Sequence, residues 1–190
     1  MKLLNNCPVV VVPDGLEIEH HANGKSVHLS AIYKSVLDFV LQEFVNSKII
    51  LAPANDFGTG QYEQDIAFDY CLANNSNSLQ IYKPTNFNKN EYIDTRGNAH
   101  ELRNALVSDN LWPENGIILV SAELHLSRAV MCFKKESFKI CKAIGVKSTK
   151  KSRYKLVNRL WYYDYPIIHR AYEKLAYIRD FLRPKRGLSN

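Results

Sequence analysis

Apolar residues fall along this chain in two alternating textures. Some form short unbroken runs, and others recur every three or four positions over longer stretches. The run "CPVVVV" is closed by Pro13, Asp14 and Gly15, and reads as a fully buried strand with its turn. Ile32, Tyr33, Val36, Leu37, Val40 and Leu41 then follow the spacing of a helix with one buried face. "KIILAPAN" repeats the strand texture. Beyond the loop "DFGTGQ", a second helix runs from about Tyr62 to Leu72 through Ile66, Ala67, Tyr70 and Cys71. "LQIYKP" is a weaker third strand, and "YIDTRGNAHELRNALVS" a helix opened by Asp94 or Thr95 as N-cap. "GIILVSA", "LHLSRAVMCFKKE" and "FKICKAI" complete the series as strand, helix and edge strand.

Strands that alternate with helices pair in parallel through right-handed crossovers. The expected fold is therefore α/β: a doubly wound, mostly parallel sheet of about five strands, followed by a C-terminal helical segment. Residues 1–146 form the α/β domain, and residues 147–190 a basic, aromatic extension packed on it. Within that extension Ile168, Ala171, Tyr172, Leu175, Ile178 and Leu182 form a helical stripe. Two readings of the stripe stand: packing on the sheet or on a twin subunit, which makes the protein an oligomer, and peripheral contact with a membrane.

Total composition narrows the picture only a little. With 190 residues, 46% of them apolar, the chain suits one domain with a substantial core. No apolar run reaches the roughly 18 residues of a membrane span, and "MKLLNNCPVVVV" has no small-residue cleavage site. The expected location is cytoplasmic, peripheral at the inner face of the membrane if the C-terminal segment meets lipid. Four cysteines, widely spaced and without a CxxC pair, read as buried free thiols. The formal charge is +6, and much of the excess lies after Lys134 in "KSTKKSRYK" and "RPKRG". Such patches attract phosphorylated or lipid partners, but no specific nucleic-acid motif accompanies them.

Polar residues collect at the carboxyl ends of the strands, where open α/β sheets bind ligands. Asp14 follows the first strand, and Asn55, Asp56 and Glu63 the second. Asp94, Thr95, Arg96 and Asn98 open the third helix; Ser121, Glu123, His125 and Arg128 follow the fourth strand. Thr95, Arg96 and Asn98 at a helix N-terminus suit a phosphate or carboxylate. His125 and Arg128, at i and i+3, pair a proton carrier with a fixed cation. Glu63 and Glu123 are candidate bases or partners of a sugar hydroxyl. Glu17, Glu19, His20 and His21 look metal-like by residue type, but with no element to fix them the segment reads as a solvated loop. GxGxxG, P-loop and GxSxG signatures are absent from the sequence, so no metal or dinucleotide motif is expected.

Two stretches resemble the ElyC/SanA/YdcF family of bacterial proteins. "IDTRGNAHEL" is similar to the family's Ser-x-x-Thr-x-x-Asn segment, with Thr95 and Asn98 in place. "IILVSAELHLSRAVMCFKK" is similar to its "LVTSxxHxxRA" segment, with Ser121, His125, Arg128 and Ala129 matching. "VVVVPDG" and "LAPANDFGTGQYEQD", with Glu63, match more weakly, and the likeness spans about Pro8 to Ile144. "APAND" stands where the family has Ser-Gly-Gly, and Glu123 where it has tyrosine or another neutral side chain. The N-terminal anchor of some members is missing.

The resemblance implies a Rossmann-like sheet and a link to bacterial envelope or surface-polysaccharide biosynthesis. It also implies S-adenosylmethionine or a nucleotide as a ligand. Two functions follow. One is a transferase or hydrolase acting on a phosphorylated, nucleotide-linked or polyprenyl-phosphate-linked sugar. Its catalytic residues would be His125, Glu123 and Glu63, with Asp14, Asn55, Thr95, Arg96, Asn98, Ser121 and Arg128 binding substrate. The other is a non-catalytic module that binds a nucleotide or S-adenosylmethionine.

Overall fold

The computed structural model describes residues 7–74, 80–89, 92–148 and 150–184. In chain order its elements are β1 (Val9–Val11), β2 (Leu16–His21), β3 (Gly24–Leu29), α1 (Ala31–Glu43), β4 (Ile49–Leu51), α2 (Glu63–Asn74) and β5 (Ile81–Tyr82). They continue with α3 (Thr95–Ser108), β6 (Ile117–Ala122), α4 (Glu123–Lys135), β7 (Ile140–Val146), β8 (Lys155–Leu156), a 3₁₀ turn (Asn158–Asp164) and α5 (Pro166–Leu182).

Five parallel strands make the main sheet in the order β5-β4-β1-β6-β7, the doubly wound Rossmann-like arrangement that the sequence predicts. Val9–Val11 lie at its centre, in register with Ile49–Leu51 on one side and Ile118–Val120 on the other. Strands buried on both faces need no alternation, which is why these runs are continuously apolar. Successive side chains still point to opposite faces. Val9 and Val11 pack with Tyr33 and Leu37 of α1 and Ala67 of α2; Val10 and Val12 pack with Leu102 of α3 and Phe133 of α4. The chain winds one way from β1 to β4 and the other way to β6, so a crevice opens between the carboxyl ends of β1 and β6.

A second sheet, β3-β2-β8, is antiparallel and corrects the reading of residues 17–21 as a solvated loop. Leu16–His21 pairs with Gly24–Leu29 in a hairpin, and β8 adds to its other edge. Glu17 is buried there. Its Oε1 accepts the Ala31 N–H at 2.7 Å, at the start of α1, while Oε2 accepts the N–H groups of Arg153 and Tyr154. Glu19 pairs with His28 at 3.1 Å and lies 3.7 Å from His21. Among the described residues no group of three or more His, Cys, Asp or Glu is placed to hold a metal ion.

The C-terminal segment packs on the domain, but not by its apolar stripe. Helix α5 lies against α4 through His169, Glu173, Ala176 and Asp180, while Ile168, Leu175, Ile178 and Leu182 face outward. Buried ion pairs set this choice. Glu173 and Asp180 reach Arg128 of α4, and Lys135 donates to the Asp180 carbonyl at the far end of the same helix. Among the described residues no helix is long and apolar enough to cross a membrane. Cys7, Cys71 and Cys132 are buried, as the sequence predicts, whereas Cys141 is exposed with its Sγ 3.0 Å from that of Cys7.

Candidate active site

The turn after β1 sets the site. Gly15 has φ 99°, in the left-handed region, and a Cβ there would collide with the Leu160 side chain, so glycine serves both the turn and the close approach. The turn throws the Asp14 carboxylate across to the end of β6. Its Oδ2 accepts the Ala122 N–H at 2.9 Å and its Oδ1 lies 2.8 Å from His125 Nδ1. Ser30 Oγ, the N-cap of α1, donates to the Asp14 carbonyl at 2.7 Å, so Asp14 is held from both ends.

His125 sits in the first turn of α4, and its Nε2 is 2.8 Å from Thr95 Oγ1. Thr95 is the first residue of α3, whose N-cap Asp94 accepts the Gly97 N–H. An ionised carboxylate only accepts, so Nδ1 carries the ring proton and Nε2 is left to accept from the Thr95 hydroxyl. Asp14, His125 and Thr95 thus form one buried chain of hydrogen bonds that spans the crevice from β1 through β6 to α3. A carboxylate, an imidazole and a hydroxyl in this sequence are the parts that activate an oxygen nucleophile.

Glu63, the first residue of α2, approaches from the other side. Its Oε2 accepts the Gly15 N–H at 2.8 Å. Burial pushes its carboxyl up to about 8; the Gly15 and Asn55 backbone contacts only partly offset this, and the Asp14 charge adds to it. At neutral pH Glu63 is therefore a neutral acid. In the unfolded chain the same group releases its proton near 4.5. Between those values the folded state holds the extra proton, so this group's contribution to stability falls as pH rises toward 8. Glu63→Gln keeps the shape and never ionises. Its unfolding midpoint is expected to match wild type near pH 5 and exceed it near pH 9, by on the order of a few kcal/mol in stability. Parallel pH profiles for the two proteins would show that Glu63 titrates as an ordinary carboxylate.

Glu63, Thr95, Asn98 and His125 line a cavity of about 50 Å³ roofed by Tyr162, Tyr163 and Tyr172 from the C-terminal segment. Tyr163 stacks on His169 with ring centroids 4.3 Å apart. Beside it lies a groove of about 660 Å³, and the two share Asn55, Phe57, Tyr92 and Ile93 as a common wall. Tyr62, Lys89, His20 and Lys155 line the rest of the groove, so the small sheet supplies one side of it. Lys89 lies over the rings of Tyr62 and Phe87 at about 5.5 Å.

Neither a protein-family model, nor a curated protein, nor a solved structure matches this chain. The site is therefore described by its own geometry.

Asp14, Thr95, His125 and Glu63 are brought together, and Asn55, Asn98 and Arg128 line the same cavity with their polar groups engaged elsewhere; Ser121, Arg96 and Glu123 lie outside it. Asn55 bonds both backbone groups of Ile93, at 2.5 and 2.8 Å, and clamps the loop that leads into α3. Asn98 donates to the Pro53 carbonyl, and Ser121, fully buried, donates to the Ala122 carbonyl. Arg96 donates to the Pro184 carbonyl, and its Nε lies 3.9 Å from Glu136 Oε1.

Arg128 meets Glu173 in a two-pronged pair at 2.6 and 2.9 Å, with Asp180 at 3.6 Å. A guanidinium occupied in this way is a strut between helices and not an open phosphate clamp. Glu123 is half exposed and faces Lys147 at 3.5 Å, outside the cavity lining. Gly145 of β7 packs against its Cα, which fixes the backbone and leaves the carboxylate in solvent.

Sequence reasoning missed the roof and the cations of the groove. His169, Glu173 and Asp180 lie four and seven residues apart, a spacing that puts three titratable groups on one helical face. That polar stripe was the available signal. Lys89 and Lys155 come from loops and a short edge strand, and nothing local marks them.

Proposed function

We propose that this protein is a hydrolase or transferase whose proton transfer runs through Asp14 and His125. Its substrate is a phosphorylated, nucleotide-linked or polyprenyl-phosphate-linked sugar. The observation that carries the reading is the buried chain Asp14–His125–Thr95. Asp14 fixes the proton on Nδ1 and stabilises the imidazolium that forms when Nε2 takes a proton. The hydroxyl that gives this proton is Thr95 itself, or an acceptor hydroxyl that displaces it. Glu63, neutral at pH 7 and in the same cavity, is suited to protonate the leaving oxygen.

The groove's size and lining suggest where the rest of the substrate lies. A volume near 660 Å³ is that of a pocket for a small molecule or cofactor. Lys89 and Lys155 would meet phosphate oxygens, a role left vacant by the engagement of Arg96 and Arg128. Tyr62, Phe57 and Tyr92 offer faces to a base or sugar ring. The resemblance to the ElyC/SanA/YdcF family supports a place in bacterial envelope or surface-polysaccharide metabolism. A second reading rests on the disparity of the two cavities. A large groove beside a 50 Å³ pocket also suits a module that holds a nucleotide or S-adenosylmethionine without reacting it.

Thermal shift against nucleotide sugars, phosphosugars, nucleotides and S-adenosylmethionine identifies the ligand. One present at about a hundred times its dissociation constant adds about 2.7 kcal/mol. With that ligand, His125→Gln is expected to lower turnover about a hundredfold or more while the shift persists. Undiminished turnover overturns the role of His125, and a ligand that shifts the melt yet never reacts favours the binding module.

A further inference from the structure

Helix α5 docks by its polar side and turns its apolar side to solvent. At about 100° per residue, His169, Glu173, Ala176 and Asp180 form one arc, buried toward α4. The opposite arc carries Ile167, Ile168, Ala171, Leu175, Ile178 and Leu182, with no polar residue among them. Ile167 is 86% exposed, Leu175 69% and Leu182 74%. Cations border this arc on both margins: Arg170 and Lys174 on one, and on the other Arg179 and Arg183, which also pair with Asp94 and Asp180. Trp161 and Tyr165, in and just beyond the preceding 3₁₀ turn, are exposed as well.

Charge along the chain points the same way. Residues 147–190 hold twelve Lys and Arg against three Asp and Glu, an excess of nine. The whole chain carries +6, so residues 1–146 carry −3. Two of the three acids, Glu173 and Asp180, are buried, the first paired with Arg128 and the second with Arg128 and Arg179, so neither presents a negative charge on the outer surface of the segment. Between α4 and α5 a groove of about 420 Å³ is lined by Arg170 and Lys174 together with Leu124, Tyr177 and Ile178, and also by Glu123 and Glu173.

We propose that this face is a lipid-binding surface. Helix α5 lies flat in the headgroup layer of an anionic bilayer, with its apolar arc toward the acyl chains and Arg170 and Lys174 on lipid phosphates. Trp161 and Tyr165 take the interfacial depth that amphipathic rings favour. The helix is about 25 Å long and rests on the surface without crossing it. The competing occupant is a second copy of the chain. A two-fold pairing of these faces would set one strongly cationic segment against another, whereas an anionic leaflet complements both the charge and the apolar arc. The inference stands apart from the chemistry proposed at His125.

The test is co-sedimentation of the full chain with vesicles of phosphatidylcholine containing about one quarter phosphatidylglycerol, against phosphatidylcholine alone. The expected result is capture by the anionic vesicles, weaker by about tenfold or more without the anionic lipid and reduced by salt. Leu175→Glu/Ile178→Glu removes it, and because both side chains are exposed the fold is expected to stand. Arg170→Glu/Lys174→Glu lowers binding to the anionic vesicles alone. The proposal is overturned if wild type stays in the supernatant, or if Leu175→Glu/Ile178→Glu still pellets. It is likewise overturned if vesicles capture nothing and wild type sediments as a dimer that this variant dissociates.

Discussion

Asp14→Asn is expected to cut turnover about a thousandfold or more and to leave the protein folded, because it reverses the tautomer of His125. Asparagine fits the same space, and its carbonyl oxygen still accepts the Ala122 N–H that Asp14 Oδ2 accepts at 2.9 Å. That contact fixes the orientation of the amide, since turning its NH₂ toward Ala122 would set donor against donor. The NH₂ then faces His125 Nδ1, which must offer a lone pair, so the ring proton moves to Nε2. An Nε2–H cannot accept the Thr95 proton, and the neutral amide no longer stabilises an imidazolium. Imidazole ¹⁵N shifts read this directly and need no substrate: wild type is expected to carry the proton on Nδ1 and Asp14→Asn on Nε2. The same tautomer in both proteins would break the proposed chain, as would turnover that survives the change.

The second large effect is on stability. Arg128→Ala is expected to cost about 3–5 kcal/mol, because it strands Glu173 and Asp180 in a buried interface. Burial alone would raise the Glu173 carboxyl, but His125, His169 and Arg128 together hold it well below the usual carboxylate range. A group depressed in this way stabilises the fold above its unfolded value, near 4.5, and that contribution is lost as pH falls through the folded value. The Arg128→Ala deficit is therefore largest at neutral pH and shrinks in acid.

Hydrogen exchange adds location: α5 amides are expected to exchange well ahead of those in β1 and β6 in the variant. The double change Arg128→Leu/Glu173→Leu, which removes charge from both sides, is expected to restore most of the loss. A deficit under about 1 kcal/mol for Arg128→Ala would mean that this pair does not hold the helix.

The parts of the fold that sequence alone made legible share a cause. Val9–Val12, Ile49–Leu51 and Ile117–Val120 are buried on both faces, so burial wrote itself as unbroken apolar runs. The helices that cover them show the complementary three-and-four spacing. The hairpin of β2 and β3 failed to register because its strands are only partly buried and carry Glu, His and Lys at alternate places. Its Asn23–Gly24 step, set between two such runs, was the hairpin signal to weigh.

Helix α5 shows a different limit. Periodicity located its apolar stripe at Leu175 and Ile178 but not the direction in which it faces. A single buried arginine on a neighbouring helix decided that, and such a partner lies 45 residues away in sequence. At the site, grouping polar residues by strand end brought Asp14, Thr95 and His125 into one crevice. It could not distinguish a side chain that looks into the crevice from one, such as Ser121, that braces the backbone around it.

Order of synthesis gives the C-terminal closure a further meaning. Asp14, Thr95 and His125 have all left the ribosome once residue 125 has emerged, and the strands that position them are complete at Ala122. The roof over them is made from Tyr162, Tyr163 and Tyr172, and its strut, Glu173, comes later still. Until those later residues follow, the nascent domain therefore carries its Asp14–His125–Thr95 contacts open to water, with Arg128 awaiting its partner. Residues 162–173 thus act as a timer on this chain, and the cavity is closed only once they have emerged and docked.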